Sequence, residues 1–329
     1  MKKIICILIL VVFISDAFLK GQDAQFTQFY SVPLYLSPSF TGATQQQRFS
    51  GVYRQQWPAL YGKYITYLCA YDYFFSKYNS GVGIMLYRDQ AGSGKYGNTS
   101  VSLMYAYDFI IFNKSWHLRP GIGFIYSKYG LDFQKFKFPD QTSSPDDVSI
   151  VIPPSSDELR GSIDGSVSAL GYNDKMWYGL TIDHLLRPNT SFYGDKILTP
   201  LKYSFFGGAK LISKGRLLRP VDESITVAFQ YRMQADFHQL DLGLYWFNPP
   251  VVLGFWYRGI PKFSTLATRG DAVSFLAGIK MYRFSFGYSY DFTISTLLNS
   301  TNGAHEVSII YEFFTKKRKK YHAIPCPEF

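Results

Sequence analysis

The residue types that most often carry out catalysis are present in this chain of 329 residues, but their spacing does not assemble a reactive centre. The five histidines are scattered, and none stands at metal-ligand spacing from a cysteine or a glutamate. Serine, histidine and aspartate are all available to a hydrolase, yet the sequence contains no G-x-S-x-G nucleophile elbow. We therefore expect a protein that is not an enzyme and that carries no metal and no cofactor.

The segment Gly92-Ser93-Gly94-Lys95 is similar to part of a phosphate-binding loop. Such a loop requires a glycine five positions before Gly94, where this chain has Asp89. It also requires a serine or threonine after the lysine, where this chain has Tyr96, and a helix is not expected to follow. The segment is therefore predicted to be a flexible external loop.

The stretch from Phe284 to Phe292 indicates what kind of element positions the remaining polar residues. Every second residue in it is aromatic, and the residues between are small or polar. Because a β-strand alternates faces with a period of two, one face is an aromatic band and the other is hydrophilic. The stretches Ala272–Met281 and His305–Phe314 repeat this pattern. Successive strands that are apolar outside and polar inside are typical of a transmembrane β-barrel.

The composition agrees with such a barrel and excludes helical membrane spans. Aromatic residues make up 19% of the chain, with 27 tyrosines and 29 phenylalanines. The mean hydropathy is nevertheless close to zero, at −0.06, because strand alternation cancels the average. Beyond the first twenty positions there is no apolar run of about 18 residues, which is the length that a membrane helix needs.

Alternation and turn residues predict fourteen strands over residues 48–314. Most connections that follow even-numbered strands are short, such as Asn113-Lys114-Ser115, whereas most that follow odd-numbered strands are long, up to Gln134–Arg160. The exceptions are Ser213–Glu223 and Ala235-Asp236. Bacterial outer-membrane barrels have short periplasmic turns and long external loops. The predicted fold is therefore all-β: a single transmembrane outer-membrane β-barrel of about 14 antiparallel strands, with both termini in the periplasm.

Charged residues inside these strands are predicted to point into the lumen. Asp291, for example, lies between Tyr290 and Phe292 and therefore on the face opposite to the aromatic one. A lysine or arginine at the middle of the lipid face would cost about 2–4 kcal/mol. Inside the barrel, opposite charges can pair and fill the interior, or they can line a transport-selective ring. The predicted lumen charges are Arg54, Asp108, Arg258, Lys280 and Asp291.

The beginning of the chain predicts export. Lys2-Lys3 followed by the apolar stretch Ile4 to Ile14 is typical of a secretory signal peptide, which we place at residues 1–21. Removal of that segment leaves Cys69 and Cys326. Two cysteines in so large an exported chain do not make a disulfide framework.

The segments that flank the strands are the candidate contact surfaces. Residues 22–47 are predicted to form an N-terminal periplasmic arm, and residues 315–329 a basic periplasmic tail. On an exported protein, the run of five cations in the tail favours a solvated or partner-docking segment over a nucleic-acid site. The residues predicted to dock partners are Phe26, Phe29, Tyr30, Lys316, Lys317, Arg318, Lys319, Lys320, Pro325 and Cys326.

The arm and several strands contain a set of distinctive motifs: Gln22-Asp23-x-Gln25-Phe26-x-Gln28-Phe29, Pro33-Leu34-x-Leu36-x-Pro38, Tyr53-Arg54-x-Gln56-Trp57-Pro58, Trp256-Tyr257-Arg258-Gly259-Ile260-Pro261, Gly287-Tyr288-Ser289-Tyr290-Asp291 and Gly303-Ala304-His305-Glu306. In these motifs the chain resembles the PorP/SprF family of Bacteroidota outer-membrane proteins. The terminal Ile324-Pro325-Cys326-Pro327 is similar to the tail of the SprF-like branch. One departure is Ala24, where the family usually has proline.

The resemblance implies an accessory barrel of the type IX secretion and gliding machinery. The implied partners are a periplasmic lipoprotein ring, motor parts or a peptidoglycan-binding protein on one side, and the C-terminal domain of a secreted substrate or adhesin on the other. Outer-membrane lipid would surround the barrel, and no nucleic acid is expected. An outer-membrane channel for small solutes or lipids is the alternative, because a fourteen-strand barrel is wide enough to hold a pore.

Overall fold

The computed structural model describes residues 23–60, 62–92, 96–111, 116–131, 160–191, 196–216, 219–259, 272–294 and 302–313, but not the side chains of residues 160 and 213–222. The predicted signal peptide, the tail of residues 315–329 and nearly all of the loop from Gln134 to Arg160 lie outside these residues. No helix among the described residues is long and apolar enough to cross a membrane.

The described residues form fifteen β-strands in one antiparallel sheet. In chain order the strands are β1 Gln47–Gln56, β2 Tyr64–Phe75, β3 Ser80–Ala91, β4 Tyr96–Tyr107, β5 Phe109–Ile111, β6 Trp116–Gly130, β7 Arg160–Tyr172, β8 Met176–Asp183, β9 Lys202–Arg216, β10 Arg219–Gln234, β11 Phe237–Asn248, β12 Val251–Gly259, β13 Ala272–Met281, β14 Phe284–Thr293 and β15 Ala304–Phe313. Before β1 lie the short helix α1, Pro33–Leu36, and a 3₁₀ turn, Pro38–Phe40.

The sheet closes into a barrel. Apart from β4 and β5, which both pair with β6, each strand pairs with its neighbours in the chain, and β1 pairs with β15. Fourteen strands thus make the wall, which confirms the predicted fold class. Closure leaves no unpaired sheet edge, which is what allows strands to span a bilayer.

Strand β5 is a continuation of β4 and does not add a separate strand to the barrel wall. Both pair with β6 in one continuous register, which places Tyr107 opposite Pro120. Proline has no N–H to donate to the ladder, so the pairing is interrupted at this point and resumes after Asp108. The chain therefore follows one strand path through β4 and β5, although the hydrogen bonding between them is broken.

The aromatic face predicted for β14 points out of the barrel. On β14, Phe286 and Tyr288 are each 46% exposed, whereas Ser285 and Ser289 are buried. The same alternation runs along β2, β3 and β4. An apolar outer face and a polar inner face are the arrangement that a lipid environment requires.

The two ends of the barrel differ in their connections. At the short-turn end the described connections include residues 76–79, 173–175, 249–250 and 282–283, and β1 begins there. At the long-loop end they include residues 57–60, 62–63, 184–191 and 196–201, and β1 ends there. The expected long connection from Ser213 to Glu223 is wrong, because β9 and β10 extend through it to residues 216 and 219 with two register shifts.

The segment before β1 fills the lumen, and this corrects the predicted periplasmic arm. Residues 23–46, which we call the arm, start at the long-loop end and join β1 at the short-turn end. Asp23 and Phe313 therefore lie at opposite ends of the barrel, contrary to the expectation that both flanking segments lie on one side. The physical reason is the apolar content of the arm, whose rings find in the lumen the burial that an exposed segment would lack.

Candidate functional site

The contacts between the arm and the lumen wall form the candidate functional site, and Glu306 of β15 fixes the arm near the long-loop end. The two carboxylate oxygens of Glu306 accept the backbone N–H of Thr27 at 2.9 Å and that of Gln28 at 2.8 Å. The side chain of Gln28 donates to the carbonyl of Glu306 at 3.1 Å and accepts from Ser308 Oγ at 2.6 Å. A carboxylate that receives two consecutive N–H groups sets both the position and the direction of the chain.

Arg54 of β1 joins this carboxylate to a second one. Its Nη1 donates to Glu306 at 2.9 Å and to Thr27 Oγ1 at 3.0 Å, and its Nη2 donates to Asp291 at 2.7 Å. The hydroxyl of Thr27 donates to Asp291 at 2.7 Å. Buried ions are stable only when they are paired and hydrogen-bonded. Thr27 of the arm therefore provides hydrogen bonds that help to stabilise the buried charges of Arg54 and Asp291.

The charges continue around the wall with alternating sign. Arg258 of β12 lies 3.4 Å from both Asp291 and Asp241, and Arg232 lies 2.7 Å from Asp241. Such a chain ties together strands that are not neighbours in the sheet. The members of this buried charge network, in order, are Glu306, Arg54, Asp291, Arg258, Asp241 and Arg232.

Asp23 begins the arm in a second group of charges at the long-loop end. Its carboxylate lies 2.7 Å from Lys202 Nζ and 2.9 Å from His184 Nε2, and Asp164 lies 2.6 Å from the other ring nitrogen of His184. Burial by itself would lower the pKa of His184, but the two carboxylates raise that pKa to about 10. Burial would likewise raise the pKa of Asp23, but Lys202 and His184 hold it well below its usual value. At neutral pH, His184 is therefore a cation that pairs with the carboxylate of Asp23.

The middle of the arm packs its rings against aromatic side chains of the wall. The ring of Phe29 lies 4.9 Å from that of Trp256, and the ring of Tyr30 lies 5.9 Å from Trp177 and 5.8 Å from Tyr245. All five side chains are buried. Edge-to-face pairs of this kind add about 0.5–1.5 kcal/mol each beyond area burial. The centre of the lumen is thus an apolar core to which the arm and the strands β8, β11 and β12 contribute these rings.

Arg119 of β6 holds the arm near the short-turn end. Its guanidinium donates to the carbonyl of Ser39 at 3.1 Å and also to the carbonyl of Thr41. The same side chain pairs with Asp108 at 3.2 Å, and Asp108 accepts from the hydroxyl of Tyr172 at 2.9 Å. Arg119 is fully buried, so the two arm carbonyls replace water as its partners.

Glycines allow the wall to approach the arm closely at this end. A Cβ built on Gly81 or Gly121 would meet the arm backbone well inside van der Waals contact. On the arm, Gly42 has a φ of +72°, which favours glycine, and its N–H donates to Asp72 at 2.9 Å. The short-turn half of the arm is therefore held by close packing in addition to its hydrogen bonds with Arg119 and Asp72.

The structure locates the residues that the sequence singled out as follows. Arg54, Asp108, Arg258 and Asp291 are buried in the lumen, and Lys280 lies half-buried on the inward face of β13. Phe26, Phe29 and Tyr30 are also buried in the lumen, not on a periplasmic arm where they were predicted to dock a partner. Each is at most 4% exposed, and a partner cannot reach them while the arm is in place. The docking residues from Lys316 to Cys326 lie outside the described residues.

Two central members of the site were missed by the sequence prediction. Glu306 and Arg119 are charged residues at inward positions of strands, so they carried the same signal as Asp291. Glu306 was singled out only as the last residue of the motif Gly303-Ala304-His305-Glu306, and Arg119 was not singled out at all. Thr27 and Gln28 of the arm had no signal of their own, because a polar residue in an irregular segment is ordinarily solvated.

The arrangement closes a lumen and assembles no reactive centre among the described residues. No group of three or more potential metal ligands occurs in this part of the chain. Cys69 is a free, exposed thiol on the outward face of β2. The fold and the site thus define an outer-membrane β-barrel whose interior is filled by its own N-terminal segment.

The chain belongs to the PorP/SprF family, because residues 18–311 match the model for the type IX secretion system membrane protein PorP/SprF. This confirms the family expected from the motifs. Membership implies a role in type IX secretion. A comparison with curated protein sequences finds no significant match.

Several solved structures of outer-membrane proteins are similar to this chain. The toluene transporter TodX of P. putida has a TM-score of 0.49 at 7% identity, over 85% of this chain and 93% of that one. Omp33 of Acinetobacter baumannii has a TM-score of 0.41 at 10% identity, over 82% of this chain and 98% of that one. At these sequence identities, the substrates of those proteins cannot be used to infer a substrate for this chain.

Proposed function

We propose that this protein is a non-enzymatic outer-membrane barrel of the type IX secretion machinery that acts by docking other components, with the long-loop end facing the cell exterior. Its short-turn end and basic tail contact a periplasmic ring lipoprotein, a motor part or a peptidoglycan-binding protein. Its long loops contact the C-terminal domain of a secreted substrate or adhesin, as in the SprF-like branch. The support for docking rather than conduction is the filled lumen.

The filled lumen carries the proposal because it removes the conduit. Residues 23–46 run from one end of the barrel to the other, and residues 26–34 and 36–43 are all buried. The arm is tied to the wall at both ends, by Glu306 and by Arg119. A protein substrate has no path through such a barrel, so contacts with partners fall to the surfaces at the two ends.

Deletion of residues 316–329 tests the docking proposal. The shortened barrel is expected to insert and to migrate as a folded, heat-modifiable protein, because the last described strand ends at Phe313. Surface display of the substrate is expected to fail, as measured by antibody labelling of intact cells. A control variant replaces the five cations at positions 316–320 by glutamine and keeps the length. Normal surface display of the substrate by both variants would show that the tail does not contribute to docking.

A channel for small solutes or lipids is the second candidate, and bilayer conductance separates it from docking. The intact protein is expected to be electrically silent, because the arm fills the lumen. A variant that lacks residues 23–41 is expected to conduct, which would show that the arm and not the wall closes the barrel. Steady conductance by the intact protein would favour the channel instead.

A further inference from the structure

The outer wall of the barrel carries two cations that the lumen network does not use. Among strand residues whose side chains are described, Arg88 of β3 and Lys128 of β6 are the lysines or arginines that point outward and are exposed. Neither has an ion-pair partner within the described part of the chain. Within β3, β6 and the strand β4 between them, the one acidic residue is Asp89, and its side chain belongs to the inward face of β3. Two like charges are therefore presented to the membrane side without compensation.

The sheet register places these cations at one height with a hydroxyl between them. Arg88 pairs with Thr99 of β4, and Thr99 pairs with Lys128. With a strand spacing of about 4.8 Å, the Cα atoms of Arg88 and Lys128 lie roughly 9.6 Å apart. All three side chains are exposed on the outward face. A small anion seated over Thr99 is within reach of both cations.

This row marks the boundary between the apolar and the polar parts of the outer wall. One step toward the middle of the barrel the outward residues of the three strands are Leu86, Val101 and Tyr126, and all are exposed. One step toward the long-loop end the outward residues are Gln90, Gly97 and Gly130. An outward cation costs about 2–4 kcal/mol at the middle of a bilayer and about 0–1 kcal/mol at its interface. The row therefore lies at the level of the lipid headgroups.

The neighbouring strands place tyrosines at the same level. Tyr67 of β2 pairs with Arg88, and Tyr53 of β1 pairs with Tyr67. The rings of Tyr53 and Tyr67 are 5.2 Å apart, and Tyr67 is 48% exposed. Aromatic girdles of this kind lie at the boundary between hydrocarbon and water in outer-membrane barrels. Among the described side chains at this level, cations replace the aromatic residues on β3 and β6 only.

We propose that Arg88, Thr99 and Lys128 bind the phosphate headgroup of an outer-leaflet phosphoglycolipid of the lipid A type. The guanidinium of Arg88 offers paired donors that match phosphate, Lys128 supplies a point charge, and the Thr99 hydroxyl donates between them. The acyl chains lie on the apolar panel formed by Leu86, Val101 and Tyr126. The choice of outer leaflet rests on the proposed orientation, in which the long-loop end faces the exterior.

Native mass spectrometry of the intact protein in uncharged detergent tests this site, with lipid A as the probe. The double variant Arg88→Gln, Lys128→Gln is expected to weaken retention of lipid A at least about tenfold, because two charge-assisted contacts are lost. The matched control is Lys63→Gln, Lys196→Gln, which removes the same charge from two exposed loop positions at the same end. The control is expected to retain lipid A within about twofold of the unaltered protein. Heat-modifiable migration verifies that each variant is folded.

Three further measurements keep the outcome decisive. Thr99→Val, which leaves the charge unchanged, is expected to weaken retention by a smaller factor than the double variant, and it replaces that variant if the latter does not fold. Equal retention by the double variant, equal loss in the loop control, or equal retention of dephosphorylated lipid A would overturn the site. Preference for phosphatidylglycerol over lipid A would overturn the assignment to the outer leaflet. Substrate display and bilayer conductance do not depend on these residues, so the docking proposal is tested separately.

Discussion

At the scale of single residues, the charges of the lumen serve the arm as much as the wall. Glu306 accepts two backbone N–H groups of the arm and also pairs with Arg54. Arg119 donates to two arm carbonyls and pairs with Asp108. In each case the buried ion has one partner on the wall and others on the arm. The wall and the arm are therefore expected to lose stability together when one of these ions is removed.

The first prediction concerns Glu306→Gln. The amide keeps one acceptor oxygen, but it cannot accept both arm N–H groups, and it leaves Arg54 with a single carboxylate, that of Asp291. Loss of one partner of a buried ion pair costs about 3–5 kcal/mol. We expect a lower midpoint of heat-modifiable migration and faster proteolysis within residues 23–32. Glu312→Gln, an inward position of the same strand near the short-turn end, is the control. Equal behaviour of the two variants would contradict the role of Glu306.

The second prediction concerns the pH dependence of the contact between Asp23 and His184. The pKa of His184 is raised to about 10. Its ion pairs therefore stabilise the bound arm fully below the ordinary pKa of histidine, and this stabilisation is lost as pH rises through about 10. The pKa of Asp23 is lowered. Its ion pairs therefore stabilise the bound arm above the ordinary aspartate pKa of about 4, and this stabilisation is lost as pH falls through the lowered pKa. The start of the arm is therefore expected to stay bound from about pH 4 to about pH 10.

A spin label at position 24, in a variant whose native cysteines are replaced by serine, measures this contact. The label is expected to have constant mobility across that range and to become mobile above it. His184→Gln is expected to make the label mobile at neutral pH. A label that loosens between pH 6 and pH 7, where an unperturbed histidine titrates, would contradict the raised pKa.

At the scale of elements, the strands of the wall are shaped to the arm that they enclose. Gly81 and Gly121 lie on different strands, yet a Cβ on either would meet the same short stretch of arm backbone. Position 171, on β7, has open space around its Cβ direction. The absence of a side chain at the first two positions therefore has a packing cause. The arm occupies the groove that the two glycines leave.

The third prediction compares Gly121→Ala with Gly171→Ala. The first substitution inserts a methyl group where the backbone of Ser39 lies, and overpacking of this kind costs about 1–3 kcal/mol. The second substitution meets nothing within 4 Å. Gly121→Ala is expected to displace the arm and to produce conductance steps in a planar bilayer, whereas Gly171→Ala is expected to remain silent. Silence of both variants at equal thermal stability would show that the arm tolerates the added methyl group.

At the scale of the whole molecule, the arm reverses the expected relation between the two ends of the chain. Asp23 lies at the long-loop end with His184 and Lys202, whereas Phe313 pairs with Gln47 at the short-turn end. If the long-loop end faces the exterior, the segment just before Asp23 emerges on the cell surface, and the tail after Phe313 emerges in the periplasm. The two flanking segments would then meet different compartments.

The fourth prediction tests this topology with epitope tags. A tag inserted between Gln22 and Asp23 is expected to bind antibody on intact cells, because its site opens on the long-loop end. A tag at the turn Ala235-Asp236 of the same end is the positive control, and a tag after Phe329 is expected to require permeabilised cells. Labelling of the first tag only after permeabilisation, with the control labelled on intact cells, would contradict the path of the arm.

The sequence by itself determined the wall of this protein. The alternation of Phe284 to Phe292 fixes which face of a strand meets lipid, since the period of two is a property of the backbone alone. The inward placement of Arg54 and Asp291 follows from the same rule. The motifs also indicated the family. These conclusions needed only local patterns, repeated strand after strand.

Only the tertiary structure decided where the arm lies and what the lumen charges bind. Phe26, Phe29 and Tyr30 have the same types whether they face a partner or a lumen, and an irregular segment has no period from which its surroundings can be inferred. Closure of the barrel brings Glu306, Arg54 and Asp291, which are distant in sequence, to within hydrogen-bond reach of Thr27. That meeting depends on strand order and register over the whole chain, and no local pattern contains it.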